Sequence, residues 1–338
     1  MIELFNASVY QQMAGFHGVG WDAIADFARE HNMQGIELLV DIDGPPGDLP
    51  PDLVYGVHLP IWITWLDIWR NQPDAVRRYY KDEQDWARRY AGGIWRSQML
   101  NGLTCQLNDA ARLGATYAVV HAAHVEFAHA FTRAYTYTDL EVLDAFASAL
   151  NTVAEMCGGE PPVTLYIENV WWPGLTFADP TMAEYLARCL TFDNWAFVLD
   201  TAHLMNTRHG LRTEQDAIFF VLDRIEALSA AVRDRIACVH LNLSLSGEYQ
   251  QRTITEGLPE GYADLPFAEQ FILARDHVGR IDQHRPFTLP DCQRIAEAVE
   301  PLVVVHELVA NSAAALSQAL KTQYRALHHL PKTEGGTQ

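Results

Sequence analysis

Eight short apolar runs, each followed by a longer stretch with helical spacing, recur from one end of the chain to the other. They are IELFNAS (2–8), GIELLV (35–40), VYGVHL (54–59), TYAVVHA (116–122), VTLYIEN (163–169), AFVLDTA (196–202), IACVHLN (236–242) and LVVVHEL (302–308). Runs that are apolar throughout, rather than at alternate positions, belong to strands covered on both faces, as in a parallel sheet wrapped in helices. Eight of them in alternation with helices predict an α/β fold, the (β/α)8 TIM barrel, as a single domain over 1–330 with a flexible tail over 331–338. The other α/β solution, a doubly wound open sheet, is the weaker reading. No glycine-rich phosphate loop follows a strand, and GFHGVGW (15–21) spaces its glycines wrongly for one.

The intervening segments fit an outer ring of helices. WDAIADFAREH (21–31) carries apolar residues near i, i+3 and i+4, and TEQDAIFFVLDRIEALSAAV (213–232) opens on Thr213 as a cap. Three connections, 60–95, 122–138 and 243–288, are long for plain turns, and at the carboxyl ends of barrel strands such loops build binding sites.

With 338 residues, 49% of them hydrophobic and 20% charged, the chain can fill a large core and is no disordered or fibrous sequence. Its 24 basic against 43 acidic side chains leave a net charge of −19, which argues against a general polyanion binder, so nucleic acid is not the expected partner. No run reaches the roughly 18 to 20 apolar residues of a membrane span, and MIELFNASVYQQ lacks the basic head of a secretion signal, so a cytoplasmic protein without a membrane partner is expected. Five cysteines stand singly, which indicates neither a disulfide framework nor a cysteine zinc knuckle.

What ends each strand is the informative pattern. His58 closes the third run, His121 the fourth, Glu168 the fifth, Asp200 the sixth with His203 three residues on, His240 the seventh and Glu307 the eighth. In a closed barrel these positions face one place, and imidazoles with carboxylates are the donors that divalent zinc, manganese, iron or magnesium take. One histidine at a strand end is usually just a hydrogen-bonded residue. Seven polar residues at one rim are harder to dismiss, because unpaired buried carboxylates are costly. His306 falls on the opposite side of its strand from Glu307 and is excluded.

Two further features lie beside this set. In RIDQHRPF (280–287), Asp282 and His284 project to one side of an extended segment and suit a shared cation, with Arg285 available for an anion. Trp62, Trp65 and Arg70 follow His58, and Trp171 with Trp172 follows Glu168; these are candidate walls for a ring or sugar face, although simple packing would use tryptophans equally well. Asn169 and Asn242 are candidate supports for neighbouring ligands.

The whole constellation resembles the superfamily of xylose isomerase-like TIM barrels that includes the apurinic endonuclease IV family and the sugar epimerases. In the endonuclease IV group, three metal ions are held by histidines, carboxylates, an Asp-x-x-His turn and an Asp-x-His pair. Carried over in order these fall on His58, His121, Glu168, Asp200 with His203, His240, Asp282 with His284, and Glu307, and all nine residue types match. The segments GVHLPIWITWLDIWRN, ENVWWPGLT, LDTAHLMNT, HLNLSLSGEY and IDQHRPF look closer still to a bacterial branch described as sugar phosphate isomerase/epimerase-like.

The resemblance implies two or three divalent ions, zinc first, with manganese, iron or magnesium as further options. It implies a hydrolase that cleaves a phosphate ester of a small molecule, with Glu168 and Glu307 bridging cations or orienting the nucleophile. The alternative is a sugar or sugar-phosphate isomerase or epimerase with one cation on Glu168, Asp200, His240 and Glu307, the two glutamates forming its acid/base pair. A barrel that binds metal or sugar phosphate without catalysis is the third reading. The departures are a connection of about forty residues between His240 and Asp282, and a tryptophan-rich segment where the endonucleases carry a different loop.

Overall fold

The computed structural model describes residues 1–9, 16, 19–50, 52–60, 64–81 and 84–329. Eight strands close into one parallel barrel in chain order: β1 (Ile2–Ser8), β2 (Ile36–Leu39), β3 (Val54–His58), β4 (Tyr117–His121), β5 (Thr164–Glu168), β6 (Trp195–Asp200), β7 (Ile236–Leu241) and β8 (Val303–His306), with β8 returning to β1. Each lies within or beside one of the eight apolar runs. The chain is thus a single-domain (β/α)8 TIM barrel, and Trp62 and the tail 331–338 lie outside the described residues.

The core has two layers, as continuous apolar strands require. Inside the barrel Leu4, Tyr117, Val119, Tyr166, Ala196, Val198, Cys238, Val303 and Val305 fill the floor. The outward faces, with Phe5, Ile36, Leu165, Phe197 and Val239 among them, pack under the helical ring. Tyr117 and Tyr166 stack at 4.1 Å with their planes 10° apart and so plug the interior beneath the strand ends. His306 points outward as its register requires, donating from Nε2 to Glu3 at 3.0 Å and accepting from Gln323 Nε2 at 3.0 Å.

Helical segments follow the expectation with one correction. The stretch 213–232 breaks at Leu228 into Glu214–Ala227 and Ala230–Arg233, and Thr213 does cap the first, accepting from Asp216 N. The long connections are not irregular loops: 60–95 holds Pro73–Tyr80 and Gln84–Ala91, 122–138 holds Phe127–Thr132, and 243–288 holds Gly247–Glu256 and Phe267–Ile281. Among the described residues no helix is long and apolar enough to cross a membrane.

Two of these connections are tied together by a neutral histidine. His124 is 3% exposed, and its Nδ1 accepts from the backbone N–H groups of Trp65 and Leu66 at 3.2 and 3.3 Å. Burial first, then the nearby His129 and Arg70 charges, push its pKa down from 6.5 to about 3. Between those values the unfolded chain takes up a proton that the fold refuses, so stability is intact above pH 6.5 and falls as the solution is acidified. At ~pH 5 the loss from this residue is about 2 kcal/mol. His124→Asn, which keeps an acceptor and cannot titrate, is expected to remove that part of the acid slope in urea unfolding measured between pH 7.5 and 5. Identical slopes for the two proteins would refute the assignment.

Candidate metal centre

Because all eight strands are parallel, their carboxyl ends share one rim. Register sets His121 beside Glu168 and Asp200 beside His240. Asp200 ends β6 and caps the following helix Thr201–Asn206, its Oδ1 accepting from His203 N at 2.6 Å. That cap is the physical reason for the Asp-x-x-His spacing, since it brings the third helical residue back over the aspartate. Asp282 caps the end of Phe267–Ile281, and His284 takes a left-handed backbone (φ 44°). The segment is therefore a helix end and a tight bend, not the extended run expected, yet His284 Nε2 comes within 2.7 Å of Asp282 Oδ2.

The structure brings the nine residues into one cluster: two donor groups whose atoms lie mutually close, and beside them a third set joined by close pairs on Asp282. His58, His121 and Glu168 offer atoms within 4.8 Å of one another, and so do Glu168, Asp200, His240 and Glu307, so that Glu168 belongs to both. In the third group Asp282 Oδ2 lies 3.2 Å from His203 Nε2 as well as beside His284. His203 also joins the first two, with Nδ1 3.2 Å from Glu168 Oε1. Asn169 and Asn242 stand behind this set: Asn169 Oδ1 accepts from Asp200 N at 2.8 Å, and Asn242 Nδ2 donates to Asp200 Oδ2 at 2.8 Å and Glu307 Oε2 at 3.3 Å.

The electrostatics are those of a site short of positive charge. Burial works against ionising Glu168, but His121 and His240 hold it well below the usual carboxylate range. Burial, with Glu307, Glu168 and Asp282 nearby, raises Asp200 well above it, His203 opposing. Desolvation opposes protonation of His203, His240 and His284, yet the facing carboxylates lift the first two well above an ordinary imidazole, and Asp282 with Glu307 pushes His284 up to about 10. Burial lowers His121.

The buried polar atoms fit divalent ions. Among the described residues Glu168 Oε1, His240 Nδ1, Asp282 Oδ1 and both ring nitrogens of His121 have no hydrogen-bond partner. His121 Nε2 approaches Glu168 Oε2 to 3.0 Å without hydrogen-bond alignment. Buried nitrogen and carboxylate atoms that face each other unbonded need something between them, and this mixed set suits zinc and similar cations.

Above the cluster opens a cavity of about 180 Å³, whose wall includes His58, His121, His203, Asp282, His284, Glu307, Trp171 and Trp172. The two tryptophans lie 4.6 Å apart, and Trp171 packs on the His203 ring at 4.9 Å. Trp65, Arg70 and Arg285, expected at this wall, are not on it. Trp65 is buried, its indole N–H donating to the Ala123 carbonyl at 2.8 Å and its ring against Phe146. Arg70 reaches away to Glu141 at 3.2 Å. Arg285 pairs with Leu243 through the backbone and leaves its side chain exposed.

The residue that the sequence pattern hid is Glu37. It is 2% exposed on β2, lines the cavity, lies 3.2 Å from His240 Nε2, and forms a further donor group with Cys238 and His240. The available signal was a carboxylate in the middle of GIELLV, an otherwise apolar strand.

A family model described as xylose isomerase-like TIM barrel matches residues 96–281, more than half of the chain. Among solved structures, endonuclease IV from Thermus thermophilus is 16% identical with a TM-score of 0.52, over 97% of this chain and 100% of the other. L-ribulose 3-epimerase is 13% identical with a TM-score of 0.54, over 98% and 96%. The IolI protein with a bound zinc atom is 13% identical with a TM-score of 0.51, over 98% and 100%. At these identities the likeness is one of fold. No curated protein sequence is significantly similar to the chain.

Proposed function

Since the chain belongs to the xylose isomerase-like TIM barrel family, whose structural neighbours are enzymes such as endonuclease IV and sugar epimerases, we propose that it is a metal-dependent hydrolase. It holds two or three divalent ions, zinc foremost, and cleaves a phosphate ester of a small molecule. The observation that carries this reading is the sharing of Glu168 between two donor groups, with a third group on Asp282 adjoining them. A single-ion site has no use for His58, His121, Asp282 and His284.

When bound, the ions supply Lewis-acid activation of water and neutralise charge on the phosphate oxygens. The protein does the rest. His58, His121 and Glu168 would hold the first cation, Glu168, Asp200, His240 and Glu307 the second, and His203, Asp282 and His284 the third. Glu307 is 14% exposed at its side chain against none for Glu168, so it reaches the cavity and is placed to take a proton there. Trp171 and Trp172 wall the mouth, exclude water and offer a face to a ring or sugar. Among the described residues no arginine or lysine lines the cavity. The small cavity and the net charge of −19 favour a compact ester over nucleic acid. Five unpaired cysteines accord with the cytoplasm.

A second reading, a sugar or sugar-phosphate isomerase or epimerase, draws on the compactness of the Glu168, Asp200, His240 and Glu307 group. There the two glutamates would exchange a proton with the carbon beside a carbonyl. Elemental analysis and turnover of bis(p-nitrophenyl) phosphate separate the two. The hydrolase is expected to hold at least two equivalents of metal and to lose activity on chelation, recovering it with zinc or manganese. One equivalent, with epimerisation of ketoses and no ester cleavage, would replace it by the isomerase.

A further inference from the structure

Four of the five histidines at the centre anchor one ring nitrogen away from the facing donor carboxylates, and that anchor decides which nitrogen is turned toward a cation. In His58, His203 and His284 the anchored atom is Nδ1, which donates to the backbone carbonyls of Leu59, Asn169 and Glu307 at 2.9, 2.8 and 3.1 Å. Nε2 of each then faces a carboxylate of the cluster. His240 is turned the other way. Its Nε2 donates to Glu37 Oε2 at 3.2 Å, while Nδ1 lies 3.3 Å from both Glu168 Oε1 and Glu307 Oε2 with no hydrogen-bond partner.

Glu37 is itself fixed from below. The Tyr117 hydroxyl donates to the same Oε2 at 2.8 Å, and the Tyr117 ring is clamped by its stack on Tyr166. Room for that ring comes from Gly56 on β3, where an added Cβ would stand 2.2 Å from it. A run of contacts from Gly56 through Tyr117 and Glu37 therefore ends on the histidine of the central donor group.

We infer that Glu37 is a positioning residue. It keeps His240 protonated on Nε2, leaves Nδ1 free, and strengthens that nitrogen as a donor to the cation held by Glu168, Asp200, His240 and Glu307. A carboxylate behind a ligating imidazole polarises its N–H and raises ring basicity more than a neutral carbonyl does. The central cation is thus the one whose binding depends on Glu37. The inference rests on the reading of this cluster as a metal centre. It also opposes a deeper ion on Glu37, Cys238 and His240, because a ring that gives Nδ1 to the central cation keeps its proton on Nε2, toward Glu37.

Zinc titration of the metal-free protein against a chromophoric chelator tests this, with cobalt(II) absorption as the second readout. Glu37→Gln keeps an acceptor of the same shape and removes the charge; Glu37→Ala removes both. One bound equivalent is expected to weaken about tenfold in the first and up to ~100-fold in the second. The other equivalents should stay unchanged, the cobalt bands of the affected ion should shift, and Cys238→Ala should leave the stoichiometry intact. Wild-type affinity at every equivalent in both variants would overturn the inference. So would equal weakening of all equivalents, which marks a general structural role, or loss of an equivalent in Cys238→Ala. A wild-type protein that takes up no zinc or cobalt would instead overturn the metal centre itself, and this role with it.

Discussion

Glu168→Gln is expected to lower phosphate-ester turnover by about a thousandfold or more, which corresponds to some 4 kcal/mol of lost transition-state stabilisation. The reason is topological. Glu168 is the carboxylate common to two donor groups, so a neutral amide there weakens two cations at once. The geometry shows the dependence, since His58 and His121 approach Glu168 Oε2 at 3.1 and 3.0 Å, and His203 and His240 approach Oε1 at 3.2 and 3.3 Å. Elemental analysis of the variant should find at least two equivalents missing. Retention of full stoichiometry with unchanged kcat would show that Glu168 bridges nothing.

The second large effect is expected from Asp282→Ala combined with His284→Ala. These residues belong to the third donor group only, so the double variant should lose a single equivalent of metal and keep the other two. Hydrolysis should nonetheless fall by about a hundredfold or more, because an in-line displacement needs both entering and leaving oxygens stabilised. An epimerase would be left mostly active, having no part for this pair. Wild-type hydrolysis in the double variant would remove the third group from the chemistry.

The barrel and the cluster were legible for the same reason. A strand buried on both faces admits few polar residues, so where VYGVHL, VTLYIEN and AFVLDTA end on His58, Glu168 and Asp200, the polar group announces itself against an apolar background. Glu37 escaped because it sits inside its run rather than at the end, where a reading of strand termini does not look. Register then turns it inward onto His240. The tryptophans were ambiguous in principle: a ring that stacks on a ligand and a ring that fills a core have the same composition signature. Trp171 and Trp172 reach the cavity and Trp65 does not, a difference made by the N–H of Trp65 finding the Ala123 carbonyl. Arg70 was drawn away by Glu141, 71 residues along the chain, a pairing invisible in any local window. Asp282 and His284 come together by a geometry other than the one expected, since helix end and left-handed bend deliver the same juxtaposition as an extended segment.

The way the rings are anchored bears on how such a protein can change. A carbonyl of the main chain survives every substitution, so the orientations of His58, His203 and His284 are beyond the reach of point mutation at their anchors. The anchor of His240 is encoded by one codon. Among these four imidazoles, selection for a different metal or a different reaction therefore finds at position 37 a single heritable dial that leaves every ligand in place.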